Sequence, residues 1–430
     1  MSTRFRQLGL FIFAAGWVVS PALHAELAPA TPVFDVVEEI ITPPPVDPSG
    51  TVVFVARVQP TAVALPGGFA VAWADEKLLG VDDVMMNDLN GRLVSSTGTV
   101  GAPFAAALQP DFNPGQRRAS CPALASLGGG RFQLAWAQSR SDGRDIFVQS
   151  FAAGGAPDGA GVRNVGGTSA NVYGDLPSAA GRGDGRAAVT WPEVIRDAAP
   201  ALRYNLISFD ATGAPMTSAL RLGAPRQSDR QVRPAVTLDA AAVATVGWIE
   251  PVEGVNPQGL GTLWIQRFDA AGTPLSGRAR VALRAVDGVA LAGGAQGDTI
   301  VVWARKGQNG AVRLSLGRQA KNGRMTAKPK DLGRVTSFSQ PVLLADEGGT
   351  YVLAWIDGDR LKALHLDADL GPRGPALDVA AAKPELYFTS THGFGAALHN
   401  GRLLLAWEGE MPVASFCPGN PIKAQIFELR

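Results

Sequence analysis

The residues best suited to chemistry in this sequence are carboxylates that recur two positions after a repeated tryptophan. The seven residues at this position are Asp75, Gln138, Glu193, Glu250, Arg305, Asp357 and Gly409. Four of them are acidic, and Glu408 and Glu410 flank the seventh. Converging carboxylates only repel one another unless they bind a cation or a polar ligand. We therefore expect ligand-binding residues among these acids, unless each instead caps a loop or pairs with Arg140, Arg305 or Lys306. The candidates are Asp75, Glu193, Glu250, Asp357, Glu408 and Glu410.

Histidines and aspartate-rich turns offer two further kinds of site. His392 and His399 follow Tyr387, and with a carboxylate they could serve acid–base chemistry on a glycan, although an elaborated loop explains them equally. Their spacing, without a third ligand, does not indicate zinc. The segments 357–359 (DGD) and 367–371 (DADLG) resemble calcium loops, but both fall where a hairpin needs turn residues. No catalytic residue or metal ligand is assigned, and calcium is the one cofactor left open.

The tryptophan before these positions is the last residue of a seven-residue sequence motif, the tryptophan phrase, which occurs seven times. The phrase usually starts with Gly and continues with an alternating apolar pattern. The copies are Gly67–Trp73, Gly130–Trp136, Gly185–Trp191, Ala242–Trp248, Gly297–Trp303, Gly349–Trp355 and Gly401–Trp407. Consecutive tryptophans are 52 to 63 residues apart. Repeats of about this period are typical of β-propeller blades.

Each unit has the same internal order of predicted strands. A short segment that usually opens with Pro is followed by the tryptophan phrase, a polar loop, a third strand and a turn such as 209–215 (FDATGAP). The phrase is apolar on both faces, as expected for a strand buried between two neighbouring sheets. The small residue before each Trp leaves room for the ring of the next unit. The sequence thus predicts an all-β, seven-bladed propeller of four-stranded antiparallel blades, with the post-tryptophan residues around one end of its channel.

The phrase and the turn together resemble a family of exported bacterial repeat proteins. Its units read Gly-x-Phe-Val-Val-x-Trp, followed by Phe-Asp-x-x-Gly-x-Pro, and its members are taken to be β-propellers. The resemblance covers residues 51–430 and implies the fold rather than a function. The sequence is less similar to WD40 repeats, and it lacks the Ser-x-Asp-x-Gly-x-Thr-Trp box of sialidases.

The ends of the chain predict export and ring closure. Arg4 and Arg6, the apolar segment 8–19 and Ala25 form the pattern of a signal peptide over residues 1–25. Residues 26–50 are Pro-rich and read as an arm or linker, and residues 51–430 form the propeller. The last unit lacks a fourth strand, which either Thr51–Val58 or Phe34–Ile41 could supply. We expect a periplasmic or secreted protein of a Gram-negative bacterium, without a transmembrane segment after signal removal.

Two cysteines, Cys121 and Cys417, complete the candidate residues. An exported protein meets an oxidising compartment, so they could form a disulfide between the last unit and the second; two separate thiols are the alternative. The formal net charge of +1 provides no basic field for nucleic acid. The sequence favours a binding or scaffold protein that recognises a protein or glycan partner through its loop face. The alternative is a polysaccharide-active lyase or hydrolase that uses the acidic loop face.

Overall fold

The computed structural model is an all-β protein of antiparallel strands with a propeller-like arrangement. The residues it describes are 27–37, 53–79, 84–107, 119–139, 143–166, 172–196, 200–228, 231–252, 260–326, 328–381, 393–409 and 421–430. Within these ranges the chain forms 29 strands and no helix. Accordingly, no described segment is a helix able to cross a membrane. The predicted signal peptide lies outside the described residues.

The first half of the chain contains three repeated units. Two short strands come first, β1 (Leu27–Pro29) and β2 (Phe34–Val37). Unit 1 contains β3 (Val53–Leu65), β4 (Gly68–Leu79), β5 (Val84–Ser95) and β6 (Val100–Ala105). Unit 2 contains β7 (Ala119–Gly128), β8 (Arg131–Ser139), β9 (Arg144–Phe151) and β10 (Pro157–Asn164). After the short β11 (Val172–Gly174), unit 3 contains β12 (Ser178–Gly181), β13 (Ala187–Ile195), β14 (Ala201–Phe209) and β15 (Leu220–Gln227).

The second half continues the same order. Unit 4 contains β16 (Ala235–Leu238), β17 (Ala244–Pro251), β18 (Gly261–Phe268) and the first part of β19 (Ala279–Gly293). Unit 5 contains the second part of β19, β20 (Thr299–Lys306), β21 (Val312–Gln319) and β22 (Lys330–Val335). Unit 6 contains β23 (Ser339–Ala345), β24 (Tyr351–Asp357), β25 (Arg360–Leu366) and β26 (Leu377–Ala381). Unit 7 contains β27 (Phe394–His399), β28 (Arg402–Glu408) and β29 (Ile422–Leu429).

Antiparallel pairing within each unit gives the molecule two distinct ends. Connections from first to second strand and from third to fourth strand share what we call the turn end, and the other connections share the loop end. At the turn end, the Asp210 carboxylate accepts the backbone N–H groups of Thr212 and Ala214, both at 2.9 Å. Gly213 follows with a φ of 79°, a conformation that glycine adopts without strain. The Asp–Gly turn predicted from the sequence is thus confirmed here.

The repeated tryptophans pack between consecutive units. Trp136 of unit 2 shares a buried cluster with Ala70 and Ala72 of unit 1. The same relation joins the last unit to the first, because Trp73 of unit 1 shares a cluster with Ala406 of unit 7. Ala72 and Ala406 each come directly before a repeated Trp, so the expectation that this small residue makes room for the next unit's ring is confirmed. Packing of this kind needs every unit to have a neighbour on both faces.

Arginines at the turn end reach from one unit to a turn carbonyl of the next. The contacts are Arg131 to Ala211 at 3.4 Å, Arg182 to Asp239, Arg267 to Lys321 at 2.5 Å, Arg318 to Ala368 at 2.7 Å and Arg402 to Ser96 at 2.9 Å. The last of them joins unit 7 to unit 1, across 306 positions of sequence. Some backbone carbonyl groups in the turns have no partner within the antiparallel strands. The arginine guanidinium groups give these carbonyl groups a charged hydrogen-bond donor.

The N-terminal strands add to the sheet of unit 7. In β1, Leu27 pairs with Leu429, and in β2, Phe34 pairs with Ala424. Val36 is 2% exposed and belongs to the cluster between units 7 and 1. Of the two predicted closing segments, the one starting at Phe34 therefore pairs with β29, while β3 is the first strand of unit 1. Part of the predicted 26–50 arm thus lies on the last sheet.

Candidate functional site

Within or close to the first strand of each unit, toward the loop end, one residue occupies the same repeat position. We call these the inner positions. They are Gln59, Cys121, Leu176, Arg233, Gly288, Gln340 and Gly393. Gln59, Cys121 and Leu176 have φ values of 57°, 54° and 45°, which side chains other than glycine rarely adopt. The strand register also shifts next to Gln59 and Cys121, so these residues are β-bulges that redirect side chains.

Direct contacts join inner positions of neighbouring units. The Glu408 carboxylate of unit 7 accepts the backbone N–H groups of Gln59 at 2.9 Å and of Gly393 at 3.3 Å. Gln59 in turn accepts the N–H of Cys121 through its side-chain oxygen at 2.6 Å. A Cβ atom on Gly393 would lie 2.5 Å from the Cα of Gln59, so only glycine permits this approach. The structure therefore brings inner positions of units 7, 1 and 2 together.

Charged groups surround Cys121. Arg144 donates to the Asp175 carboxylate at 3.0 Å and also contacts the Ser120 hydroxyl. Burial raises the pKa of the Cys121 thiol to about 11; the charge of Asp175 raises it too, whereas Arg144 and Arg233 act in the opposite direction. Cys121 is a buried free thiol in the part of the chain that the structure describes. Cys417 lies outside that part, so the disulfide remains a prediction.

Arg233 differs from Arg144 because it forms no ion pair with any residue that the structure describes. Its Nε atom is buried and has no hydrogen-bond acceptor, and no ion pair forms on its guanidinium among the described residues. A buried donor without an acceptor is costly, about 1–3 kcal/mol. Sequence reasoning missed the inner positions, although a signal existed: the residue before the unit-opening Pro marks Gln59, Cys121 and Leu176 as well as Arg233.

The predicted carboxylates lie in five different sheets, and most of them bond within their own unit. The side chain two positions after Trp often accepts the indole N–H, as in Trp73 to Asp75 at 2.8 Å and Trp248 to Glu250 at 3.2 Å. Asp75 also accepts from Asn90 at 2.6 Å. Residues i and i+2 of a strand share a face, which explains this recurring pair.

Glu250 has further partners. It is 3% exposed, and it forms ion pairs with Arg226 at 3.3 Å and Arg278 at 2.9 Å. A Cβ atom on Gly223 would lie 2.3 Å from a Glu250 oxygen, so the neighbouring strand needs glycine to admit this side chain. The carboxylate is thus held from three sides as a structural group.

The remaining predicted acids have separate surroundings. Asp357 accepts the backbone N–H groups of Thr336 at 2.6 Å and Ser337 at 3.0 Å, and pairs with Lys362 at 3.2 Å. Glu193 accepts from Asn205 at 3.2 Å. Glu408 binds the two inner N–H groups described above. Glu410 lies outside the described residues, and so does Arg140.

The pH dependence of stability is expected to carry a contribution from Glu193. Burial raises the pKa of its carboxyl above the usual 4.5 and Asp145 raises it further, while the Arg203 charge and the Asn205 bond oppose them. The folded state therefore holds this proton more tightly than the unfolded chain. The contribution of this proton to stability is therefore complete below about pH 4.5, and it is lost as the pH rises through the higher pKa of the folded state. Relative to wild type, Glu193→Gln should raise the thermal midpoint at pH 7 but not at pH 4, and the exposed Glu347→Gln should not. Equal shifts at both pH values would contradict this assignment.

The other predicted sites have local structural explanations. The Asp367 carboxylate accepts the N–H of Gly371 at 2.7 Å, which closes the turn that resembles a calcium loop in the sequence. His365 is buried in β25, and His399 contacts Asn400 at 3.0 Å beside a turn. His392 and Tyr387 are not among the described residues. Within the described ranges, no group of three or more His, Cys, Asp or Glu residues is placed to hold a metal ion.

Comparison with known proteins gives structural likeness at low identity. No family model matches the chain, and no curated protein matches its sequence. A protein of unknown function from Dyadobacter fermentans is 14% identical with a TM-score of 0.49, over 93% of this chain and 99% of that one. A Hadza microbial sialidase is 12% identical with a TM-score of 0.48, over 70% of this chain and 63% of that one. The α-L-arabinanase of Penicillium chrysogenum complexed with arabinobiose is 13% identical with a TM-score of 0.45, over 93% and 99%. These TM-scores lie below 0.5, and the likeness does not indicate a function for this chain.

Proposed function

We propose that the chain is an exported, closed, seven-bladed β-propeller that binds a glycan at its loop end. Three features support the architecture: the tryptophan packing of each unit on its predecessor, the arginine contacts at the turn end, and the pairing of β1 and β2 with β29. A closed ring also removes the free sheet edges that promote aggregation. Export rests on the signal-like pattern of residues 1–25.

The binding function rests on the arrangement of the inner positions. Strained backbone costs about 1–3 kcal/mol per residue and is concentrated at ligand sites, where the surrounding structure holds it in place. Here the strain of Gln59, Cys121 and Leu176 occurs at the same end as Arg233, whose guanidinium has no acceptor among the described residues. A ligand oxygen provides the acceptor that Arg233 lacks.

The described surface favours a glycan over a protein partner. Its exposed large hydrophobic residues are Val33, Met216, Val252, Leu275 and Leu283, and none of them is aromatic. They are distributed over both ends of the molecule, since Met216 and Leu275 follow turns at the turn end. Protein interfaces usually centre on buried aromatic or arginine anchors within an apolar patch. A polar ligand matches the inner positions better.

A polysaccharide-active enzyme is the second candidate, and Glu193 is the observation in its favour. A general acid needs a raised pKa, and that of Glu193 is raised by burial and by the charge of Asp145. Against this candidate, Glu193 and Asp145 are 8% and 1% exposed, which leaves little carboxylate surface for a substrate.

Glycan binding by purified mature protein tests the proposal. Wild type should bind at least one member of a glycan panel, and Arg233→Ala should weaken that binding about tenfold or more, because a hydrogen bond to a charged group contributes about 1.5–3 kcal/mol. Arg324→Ala is the matched control, since Arg324 is an exposed side chain at the turn end. Its affinity should equal that of wild type.

Other outcomes reject the proposal or select its alternative. Absence of binding across the panel, or equal affinities of the two variants, would reject a glycan site at the inner positions. Release of new reducing ends or unsaturated products, abolished by Glu193→Gln, would select the enzyme. The thermal midpoint of Arg324→Ala should match wild type, and that of Arg233→Ala should equal or exceed it, because neither side chain has an ion-pair partner in the described structure and Arg233→Ala removes a buried donor without an acceptor.

A further inference from the structure

The positive charge of the chain is concentrated in one sector. Residues 260–335 contain 13 Lys and Arg against four Asp and Glu, a net charge of +9, whereas the whole chain carries 39 against 38. The rest of the chain is therefore acidic, and the near-neutral total conceals a basic region in units 4 and 5. A local field of this kind attracts anions even when the net charge is close to zero.

Three arginines of this sector stand opposite one another on adjacent strands of unit 5. Arg305 in β20 pairs with Arg313 in β21, and Arg313 pairs with Arg334 in β22. Directly opposite residues share a sheet face with Cβ atoms about 5 Å apart. Arg284 lies beside this row: it precedes Ala285, which pairs with Arg305, and its Nε donates to the carbonyl of Lys306 at 2.9 Å. We call these four residues the basic ladder.

The basic ladder is at the loop end, the same end as Arg233. β20 ends at Lys306, β21 begins at Val312 and β22 ends at Val335, so the ladder lies beside these loop-end boundaries. Arg284, Arg305 and Arg334 are exposed. The row therefore faces solvent at the end assigned to glycan binding.

This arrangement lowers the stability of the fold, and no structural role that compensates for the loss is evident. Like charges directly opposite each other on neighbouring strands are destabilising. The Asp331 carboxylate accepts a hydrogen bond from Nε of Arg313 at 2.7 Å. Burial alone would raise the pKa of Asp331, but this bond, a backbone bond and the charges of Arg313 and Arg305 hold it below its usual value. Arg305 and Arg334 form no ion pair with any described residue.

Arg305 also occupies a position that other units use differently. In units 1, 2 and 4 the residue two places after Trp accepts the indole N–H, at 2.8 to 3.2 Å. Arginine cannot accept, and the buried Nε1 of Trp303 has no partner among the described residues, as is also true of Trp191 and Trp355. Unit 5 therefore places a positive charge where units 1, 2 and 4 place an acceptor.

We propose that the basic ladder binds an acidic polysaccharide. This inference rests on the proposed glycan binding and names its ligand class and its place. Guanidinium groups bind carboxylate and sulfate through paired hydrogen bonds, and a row of them matches anionic groups that repeat along a chain. Single-stranded nucleic acid also repeats its charge, but its binding sites add aromatic residues on which bases stack. No exposed aromatic side chain occurs in the described part of the protein.

A charge-matched pair of double variants tests the ladder. The ladder variant is Arg305→Gln with Arg334→Gln, and the control is Lys321→Gln with Arg324→Gln at the turn end of the same unit. Both remove two exposed positive charges, so they have the same net charge. Affinities are measured for oligogalacturonate, chondroitin sulfate, neutral dextran and oligothymidylate over a range of salt concentrations.

We expect wild type to bind at least one of the two acidic glycans, with an affinity that falls as salt rises. The ladder variant should bind the acidic glycan at least tenfold more weakly, and its affinity should depend less on salt. The control variant should keep the wild-type affinity. The thermal midpoint of the ladder variant should equal or exceed that of wild type, because two repulsive charges are gone. This combination separates a binding role from damage to the fold.

Each contrary outcome is informative. If wild type binds neutral dextran but neither acidic glycan, the glycan-binding proposal stands and the ladder inference is wrong. Equal losses in the two double variants would show a diffuse charge effect and also reject the ladder. Tighter binding of oligothymidylate than of either glycan would assign the ladder to nucleic acid instead. If nothing in the panel binds, both proposals fail.

Discussion

Replacing Val36 by Asp is expected to lower the stability of the protein by about 3 kcal/mol or more. Val36 is 2% exposed and shares a buried cluster with Trp73 of the first unit and Ile422 of the last strand. The substitution removes about 2 kcal/mol of stabilisation that comes from burying the valine side chain. It also buries a carboxylate beside no described residue that could pair with it. The thermal or urea midpoint measures the effect. Because β2 can detach from the last sheet, the loss cannot exceed the free energy that the packing of β2 on this sheet contributes to stability.

Val33→Asp is the matched control for this prediction. Val33 precedes the same strand but is 48% exposed, so the identical substitution should change stability by less than about 0.5 kcal/mol. A large effect at position 36 alone supports the docking of the N-terminal strands on the last sheet. Equal small effects at both positions would mean that these strands contribute nothing to the stability of the contact between units 7 and 1.

Replacing Glu250 by Ala is expected to destabilise the fold by about 2–3 kcal/mol. The carboxylate is 3% exposed and serves Trp248, Arg226 and Arg278 at once. Removing one partner of a buried ion pair is costly, although the two arginines are partly exposed and can regain water, which reduces the loss. The urea midpoint with its slope is the measurement.

Glu428→Ala separates this effect from a general loss of charge. Glu428 pairs with Arg402 at 3.5 Å on the surface, where such a pair contributes below about 1 kcal/mol. If Glu250 were a ligand-binding group rather than a structural one, its substitution would leave the midpoint unchanged and abolish binding. Since the structural role is expected, Glu250 is a poor choice for testing function, unlike Arg233.

The packing of the repeated phrase could be predicted from sequence, because its causes are local. Alternation around Trp73 and Trp136 identifies a strand buried on both faces, and the small residues Ala72 and Ala406 lie in the same cluster as the ring of the next unit. The Asp210–Gly213 turn follows from side-chain bonding and a positive φ in the same way. These features depend on residues only a few positions apart.

The partners of the carboxylates could not be predicted, because they depend on contacts between distant strands. Glu250 looks like a candidate ligand in the sequence, yet Arg226 and Arg278 flank it only after β15 and β19 come beside β17. The Glu408 contact with Gln59 joins residues 349 positions apart. Sequence spacing shows which residue types recur, but not which of them the fold uses to satisfy its own hydrogen bonds.

The composition of the last sheet has a consequence for how the protein is made. Its strands come from both termini, and Lys423 pairs with Asp35 across 388 positions at 3.0 Å. Synthesis proceeds from the N-terminus, so β1 and β2 emerge first and must wait for nearly the whole chain before their partner strand exists. Until then the first unit lacks the neighbour that covers Trp73, and a truncated product never obtains it. The sheet therefore forms only in a chain that contains both β2 and β29, so its assembly reports that the units between them have been made.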